Sequence, residues 1–134
     1  MTADEAFEKL LSDGVIWREP RDAIFAFADA VLARTPSKAY SLLQESKAVG
    51  EANLTLLSVL YNNFKILLQV QSYDNYSALG LNNWQVFNVK AHTGNYSNGE
   101  LVKAMNLIRE VERGIKTGSI PDDLSVDYVL VRVM

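Results

Sequence analysis

Residues 52–73 read ANLTLLSVLYNNFKILLQVQSY, and this stretch decides the fold because it is apolar around most of a helix circumference. It contains no proline and no glycine, so nothing in it interrupts a helix. A surface helix with one apolar stripe does not have this pattern. The stretch therefore predicts the central helix of a helical bundle, packed against neighbours on several sides.

Five polar side chains of this stretch fall on one narrow strip when they are placed at about 100° per residue, and only Asn63 interrupts the wide apolar arc. The strip consists of Thr55, Ser58, Asn62, Lys65 and Gln69. We interpret it as the edge of the central helix that faces solvent or a partner, and Lys65 in particular as a contact residue.

Start and stop signals for helices divide the rest of the chain. The predicted helices are 2–14, 21–34, 36–48, 84–91, 98–117 and 121–133. Ser97 with Glu100 forms a capping box at the start of the helix at 98–117, and Thr35 before Pro36 supplies a capping hydroxyl followed by proline at the first helical position. Gly50 and Gly118 are expected C-terminal stops.

Three further features refine this pattern. The segment 121–133 is rich in β-branched residues and a strand is possible on propensity, but its Pro-Asp-Asp start favours a helix. Gly114, inside the helix at 98–117, indicates a close contact with another helix. Phe25 and Phe87 are placed on the apolar faces of their helices. The sequence therefore predicts a single all-α domain, a bundle of about six or seven helices.

Composition excludes several classes of function. The 134 residues contain no cysteine, which excludes disulfides and thiolate metal sites and is compatible with a cytoplasmic location. The net charge is −3 and the sequence shows no run of lysine and arginine, so we expect no direct binding of nucleic acid. The apolar run of the central helix contains Asn62 and Lys65, which argues against a membrane span.

No set of residues forms a recognisable active site. His92 is the one histidine, and a solvent-facing position at a helix end is favoured over a metal or general-base role. The segment Lys116-Thr117-Gly118 has the wrong order for a phosphate loop and fits a helix C-terminus better. We therefore expect no catalytic residue, no cofactor and no metal.

Several stretches, in this order, resemble one known family. They are DAIFAFADAV at 22–31 with KAYSLL at 38–43, the central helix at 54–70 with Lys65 after Phe64, the helix at 100–118, and the apolar tail at 126–133. Glu112, where aspartate is commoner, and Gly114 depart from the family pattern and leave the helix intact. The chain resembles the C-terminal helical domain of the delta subunit of the bacterial DNA polymerase III clamp loader.

This resemblance implies a role in assembly. In the family, an AAA+-like module grips and opens the sliding clamp, a lid domain follows, and the C-terminal domain packs beside its counterparts in a collar. Residues 19–134 would be that collar domain, and residues 1–18 the end of the lid domain or a linker helix. The partners would be the other clamp-loader subunits. The sliding clamp would be bound only through the N-terminal module, which this sequence does not contain.

Two other functions stay open from the residues alone. The first is a free-standing helical module that binds a peptide helix or DNA. The second is a small enzyme, which would require a polar pocket with converging titratable groups. For the collar domain itself we expect no enzymatic activity, since the nucleotidyltransferase of the polymerase resides in another subunit.

Overall fold

The computed structural model of the chain describes residues 20–73, 80–81 and 83–134. These residues form helices and turns, with no strand among them, which confirms the all-α prediction. The helices are α1 (Pro20–Leu32), α2 (Pro36–Ala48), α3 (Asn53–Ser72), α4 (Asn83–Lys90), α5 (Asn98–Thr117) and α6 (Ser125–Val133), with a 3₁₀ turn at Asp122–Leu124 before α6. The helix expected at 2–14 lies outside the described residues. None of the helices in the described ranges is long and apolar enough to cross a membrane.

The central position of α3 is confirmed by its contacts. It packs against α1, α4, α5 and α6, whereas α2 packs mainly on α1 as the second arm of a helical hairpin. The buried residues of α3 recur at helical spacing: Leu56, Leu57, Leu60, Phe64, Leu67 and Val70. Burial of these large side chains supplies the principal driving force for the bundle, at roughly 1.5–3 kcal/mol for each fully buried side chain.

Two glycines end helices as the sequence predicts. Gly118 has φ of 81°, and its N–H donates to the Ile115 carbonyl while the N–H of Ser119 donates to the Gly114 carbonyl. These crossed bonds are those of a Schellman motif, in which only glycine adopts a left-handed backbone without steric cost. Gly50, with φ of 89°, closes α2 with the same hydrogen-bond pattern.

The junction between α1 and α2 differs from the prediction. The hydroxyl of Thr35 does not cap α2; it donates to the Ala30 carbonyl at 3.0 Å and so closes the end of α1. The reason is that Arg34 adopts a left-handed backbone, with φ of 59°, which turns Thr35 back towards α1. The expectation of proline in the first turn of α2 is confirmed at Pro36.

Phe25 and Phe87 were expected on apolar faces, and this prediction is wrong. Their exposed fractions are 56% and 75%. On α1, Phe25 lies about 160° around the helix from buried Phe27, so it faces outwards with Asp29. On α4, Phe87 lies about 160° from buried Val89, and α4 packs mainly on α3 and therefore buries one side only.

Gly114 makes a close contact, but with a loop side chain and not with another helix. A Cβ atom at this position would overlap the side chain of Ile120, which follows the C-terminus of α5. Ile120 folds back because its N–H, like that of Ser119, donates to the Gly114 carbonyl. The glycine is thus required by the turn that connects α5 to the 3₁₀ turn.

Candidate partner-binding surface

The polar strip of α3 lies on the surface of the bundle. Thr55, Ser58, Asn62 and Lys65 are exposed, and Gln69, at the C-terminal end of the strip, is half-buried. The helix thus turns its apolar circumference to the core and leaves this edge to solvent, as the periodicity predicts. Lys65 has no ion-pair partner among the described residues.

A side-chain stack at the border of the strip links α3 to α5. The guanidinium carbon of Arg109 lies 3.8 Å from the centroid of the Tyr61 ring. Arg109 also donates from Nη1 to Oε2 of Glu112 at 3.1 Å, and Glu112 is buried. Oε1 of Glu112 is buried without a hydrogen-bond partner among the described residues. The cation–π contact therefore fixes Arg109 beside the strip.

Tyr96 connects the loop at 91–97 to the core. It is buried, its hydroxyl donates to the Val31 carbonyl at 2.6 Å, and its ring meets Phe64 edge-on at a centroid distance of 5.6 Å. Burial raises the pKa of the Tyr96 phenol to about 12, because the charged form loses its hydration. Sequence reasoning missed this residue. A signal exists, because Tyr96 directly precedes a capping box and Leu101 follows at the staple position.

Arg34 holds the same loop from the end of α1. Its Nη1 donates to the Asn95 carbonyl at 2.8 Å, its Nη2 donates to Oε2 of Glu100 at 2.9 Å, and its guanidinium carbon lies 4.5 Å from the Tyr96 ring centroid. The backbone N–H of Ser97 and the Arg34 guanidinium lower the pKa of Glu100, since both stabilise the carboxylate. The capping box of Ser97 and Glu100 is confirmed, with bonds of 3.0 and 3.1 Å.

His92 does not face solvent, so that prediction is wrong. It is buried, and its Nε2 lies 2.7 Å from Oδ1 of Asp29 on α1. The turn that follows α4 folds back onto α1, which places the imidazole between the two helices. The pair links α1 to the end of α4. No group of three or more potential metal-ligating side chains converges anywhere in the described ranges.

The outer face of the C-terminal helix carries an apolar stripe. Tyr128 and Val131, 43% and 70% exposed, lie three residues apart on α6, and Leu124, 59% exposed, precedes them at the end of the 3₁₀ turn. The inner face of the same helix is fixed to the bundle, since Val126, Val129 and Leu130 are buried. Lys47 of α2 adds an ion pair of 2.9 Å to Asp127. We refer to Leu124, Tyr128 and Val131 as the α6 stripe.

Comparisons with known proteins agree on one family. The model of the family described as DNA polymerase III delta subunit, C-terminal domain, matches residues 21–133. A solved structure, the Bacillus subtilis DNA clamp loader delta protein (YqeN), is similar with a TM-score of 0.75 at 17% sequence identity. That match covers 90% of this chain and 38% of the Bacillus protein, so the chain corresponds to well under half of its length. A search of curated proteins found no match.

The family match covers every described helix except the first residue of α1. The chain belongs to the family formed by the C-terminal domains of DNA polymerase III delta subunits.

Proposed function

We propose that this chain is an oligomerisation domain that holds a clamp-loader delta subunit in a collar with the other loader subunits. The observation that carries the proposal is the family match over residues 21–133. In this proposal residues 19–134 form the collar domain, and residues 1–18 are the end of a lid domain or a linker. The domain would act in the cytoplasm during DNA replication and would be non-catalytic. It would keep the subunit in register while attached modules act on the sliding clamp.

The surface of the bundle supports an assembly role. The α6 stripe presents two large apolar side chains on one face of α6 and a third, Leu124, in the turn before it, and spacing of i, i+4 and i+7 is typical of anchors in helix association. Truncating a buried interface side chain costs more than 1 kcal/mol at a minority of positions, and aromatic residues are enriched there. Tyr128 is therefore the residue of the stripe that we expect to contribute most.

The polar strip of α3 is the second proposed contact. Thr55, Ser58, Asn62, Lys65 and Gln69 offer hydroxyl, amide and ammonium groups along one edge. Within the strip, Lys65 has no partner in the described part of the chain and would pair with an acidic side chain of a neighbouring subunit.

Size-exclusion chromatography of this chain mixed with the remaining loader subunits tests the proposal. We expect co-migration for the wild type, reduced co-migration for Tyr128→Asp and Lys65→Glu, and wild-type behaviour for Lys38→Glu. Lys38 is a matched control because it is an exposed lysine on α2. If Lys65→Glu behaves like Lys38→Glu, the strip is not a contact, whereas failure of the wild type to co-migrate contradicts the collar role itself.

A further inference from the structure

We propose that the face formed by α3 and α5 binds single-stranded nucleic acid through Lys65, Arg109, Arg113 and Lys116. Three cations of this basic face lie on α5 at i, i+4 and i+7, and Lys65 lies on α3, so no contiguous run of lysine and arginine appears in the sequence. Packing of α3 against α5 adds Lys65 to the row on α5. The proposal does not depend on the collar role. Because it uses Lys65, which is also a proposed subunit contact, a single strand and a neighbouring subunit would compete for this edge of α3, whereas Arg109, Arg113 and Lys116 are not part of the proposed subunit contact.

The stack of Arg109 on Tyr61 joins α3 to α5, and the two helices run antiparallel, because Gln71 at the end of α3 bonds to Tyr96 just before α5. Lys65 therefore lies about one helical turn from the stack in one direction, and Arg113 and Lys116 lie one and two turns from it in the opposite direction. The stacking distance of 3.8 Å fixes the contact between α5 and α3 at this level of the bundle. On α5, Arg113 and Lys116 follow Arg109 at i+4 and i+7, so all three lie on one face. On α3, Lys65 follows Tyr61 at i+4, so these two side chains lie on the same face of the helix. Lys65, Arg109, Arg113 and Lys116 are all exposed.

Little negative charge opposes these cations. Residues 53–72, the whole of α3, contain no aspartate or glutamate. On α5, Glu112 is buried against Arg109, Glu100 is bound to Arg34 at the other end, and Glu110 is rotated about 100° from Arg109. Asp122 and Asp123 come next, in the 3₁₀ turn beyond α5. The net charge of −3 is thus unevenly distributed, and such a local excess of cations attracts polyanions despite the overall charge.

Three of the four cations are free to meet a ligand, whereas Arg109 is paired with Glu112. Lys65, Arg113 and Lys116 have no ion pair or hydrogen bond from their side chains within the described ranges. Arg109, Arg113 and Lys116 span about 10 Å along α5, at 1.5 Å rise per residue. This length corresponds to a few successive phosphates of a single strand. Ser58 and Asn62, both exposed next to Lys65, add neutral hydrogen-bond donors for phosphate oxygens.

A single strand fits this face better than a duplex or an acidic protein helix. The guanidinium of Arg109 is held on one side by Tyr61, and its other side can stack on an unpaired base. A duplex hides its bases from such a contact. An acidic helix would satisfy the charges but would leave this stacking surface unused.

An NMR titration of the ¹⁵N-labelled chain with octathymidylate at 50 mM salt tests the proposal and locates the site. We expect saturable shifts of amides in α3 around Lys65 and in α5 from Arg109 to Lys116. With four cations, the dissociation constant should be on the order of 10⁻⁴ M, and the slope of log K against log salt about −3. Absence of shifts, or shifts located elsewhere on the bundle, would overturn the proposal.

Charge-matched double variants distinguish binding at this face from nonspecific electrostatic attraction to the rest of the chain. Arg113→Gln with Lys116→Gln removes two cations of the face, and affinity should fall roughly tenfold or more while the salt slope falls to about −1.5. Lys38→Gln with Lys90→Gln removes two exposed cations elsewhere on the bundle. This double variant should leave the affinity and the salt slope nearly unchanged. Equal losses in the two double variants would contradict the assignment.

Two further ligands decide the class of partner. A 12-base-pair duplex should bind more weakly than octathymidylate at equal salt, since its bases are not available to Arg109. Equal or tighter binding of the duplex would overturn the single-strand assignment. Polyglutamate should not displace octathymidylate at equal charge concentration. If it does, the face is a site for an acidic protein and the nucleic-acid proposal is wrong.

Discussion

The guanidinium of Arg109 lies over the ring of Tyr61, with 3.8 Å between the guanidinium carbon and the ring centroid. This contact joins α5 to the border of the polar strip of α3. It also links the core to the surface, because Arg109 donates to buried Glu112 at 3.1 Å. The two long helices of the bundle thus meet at their outer edge through a cation and an aromatic ring, in addition to the apolar seam beneath.

The first prediction concerns the strength of this contact. In a double-mutant cycle with Tyr61→Leu and Arg109→Gln, measured by urea denaturation, we expect a coupling free energy of about 0.5–1 kcal/mol. Each single variant removes the stack, so the double variant should lose less stability than the sum of the two. A coupling indistinguishable from zero would show that the stack does not stabilise the fold.

The second prediction concerns the left-handed backbone at Arg34, where φ is 59°. Arg34→Ala removes the bonds to Asn95 and Glu100 but keeps a side chain that is strained in this conformation. Arg34→Gly removes the same bonds and the strain together. Thermal denaturation should therefore show Arg34→Gly to be more stable than Arg34→Ala by about 1 kcal/mol. The reverse order would contradict the left-handed conformation.

The third prediction concerns Gly114 and its contact with Ile120. A methyl group at 114 would overlap the Ile120 side chain, so Gly114→Ala should destabilise the domain by about 1–3 kcal/mol, although alanine favours a helix. Adding Ile120→Ala should recover part of this loss. Gly99→Ala in the same helix is the control, because its nearest neighbour would be Ser97 Oγ at 3.9 Å. If the two glycine variants are equally stable, the overlap is absent.

The fourth prediction concerns Tyr96 and alkaline pH. Its pKa is about 12 in the folded state against 10.0 for an ordinary tyrosine, so folding favours the protonated phenol. This stabilisation is present in full below pH 10 and is lost as the pH rises towards 12, with a total of roughly 3 kcal/mol. Unfolding by urea at a series of pH values should show this decline in the wild type.

Tyr96→Phe serves as the control for that series. It should cost about 1 kcal/mol near neutral pH through loss of the bond to the Val31 carbonyl. The part of the alkaline decline that Tyr96 causes should then disappear, and one late-titrating phenol should be lost from the ultraviolet titration. If the free energy of unfolding of Tyr96→Phe declines at alkaline pH as in the wild type, groups other than Tyr96 cause the decline.

Much of the fold follows from local sequence signals. The polar strip of α3 is predicted from periodicity alone, and Ser97, Glu100 and Gly118 mark the ends of α5 through capping chemistry that involves only neighbouring residues. The choice of helix over strand for the last segment is confirmed, but Pro121, Asp122 and Asp123 lie in or next to the 3₁₀ turn and do not open α6, which begins at Ser125. The family resemblance, which rests on the same stretches, is confirmed by the match over residues 21–133.

The errors have a common physical cause. His92, Phe25 and Phe87 are each placed by the position of one helix relative to another, and periodicity along one helix contains no such information. His92 is buried because a turn folds back onto Asp29, and Phe87 is exposed because α4 packs mainly on α3. The stack of Arg109 on Tyr61 was missed for the same reason, since these two residues become neighbours only after α3 and α5 have packed.

The fifth prediction tests the central claim, that this domain assembles with the other subunits of a clamp loader. The measurement is the molar mass, by light scattering after size-exclusion chromatography, of the full chain mixed with the remaining loader subunits. We expect a species whose mass equals the loader subunits plus this chain, and a loss of that species with Tyr128→Asp on the α6 stripe. If the chain elutes alone at 15.0 kDa even at high concentration, the collar role is contradicted.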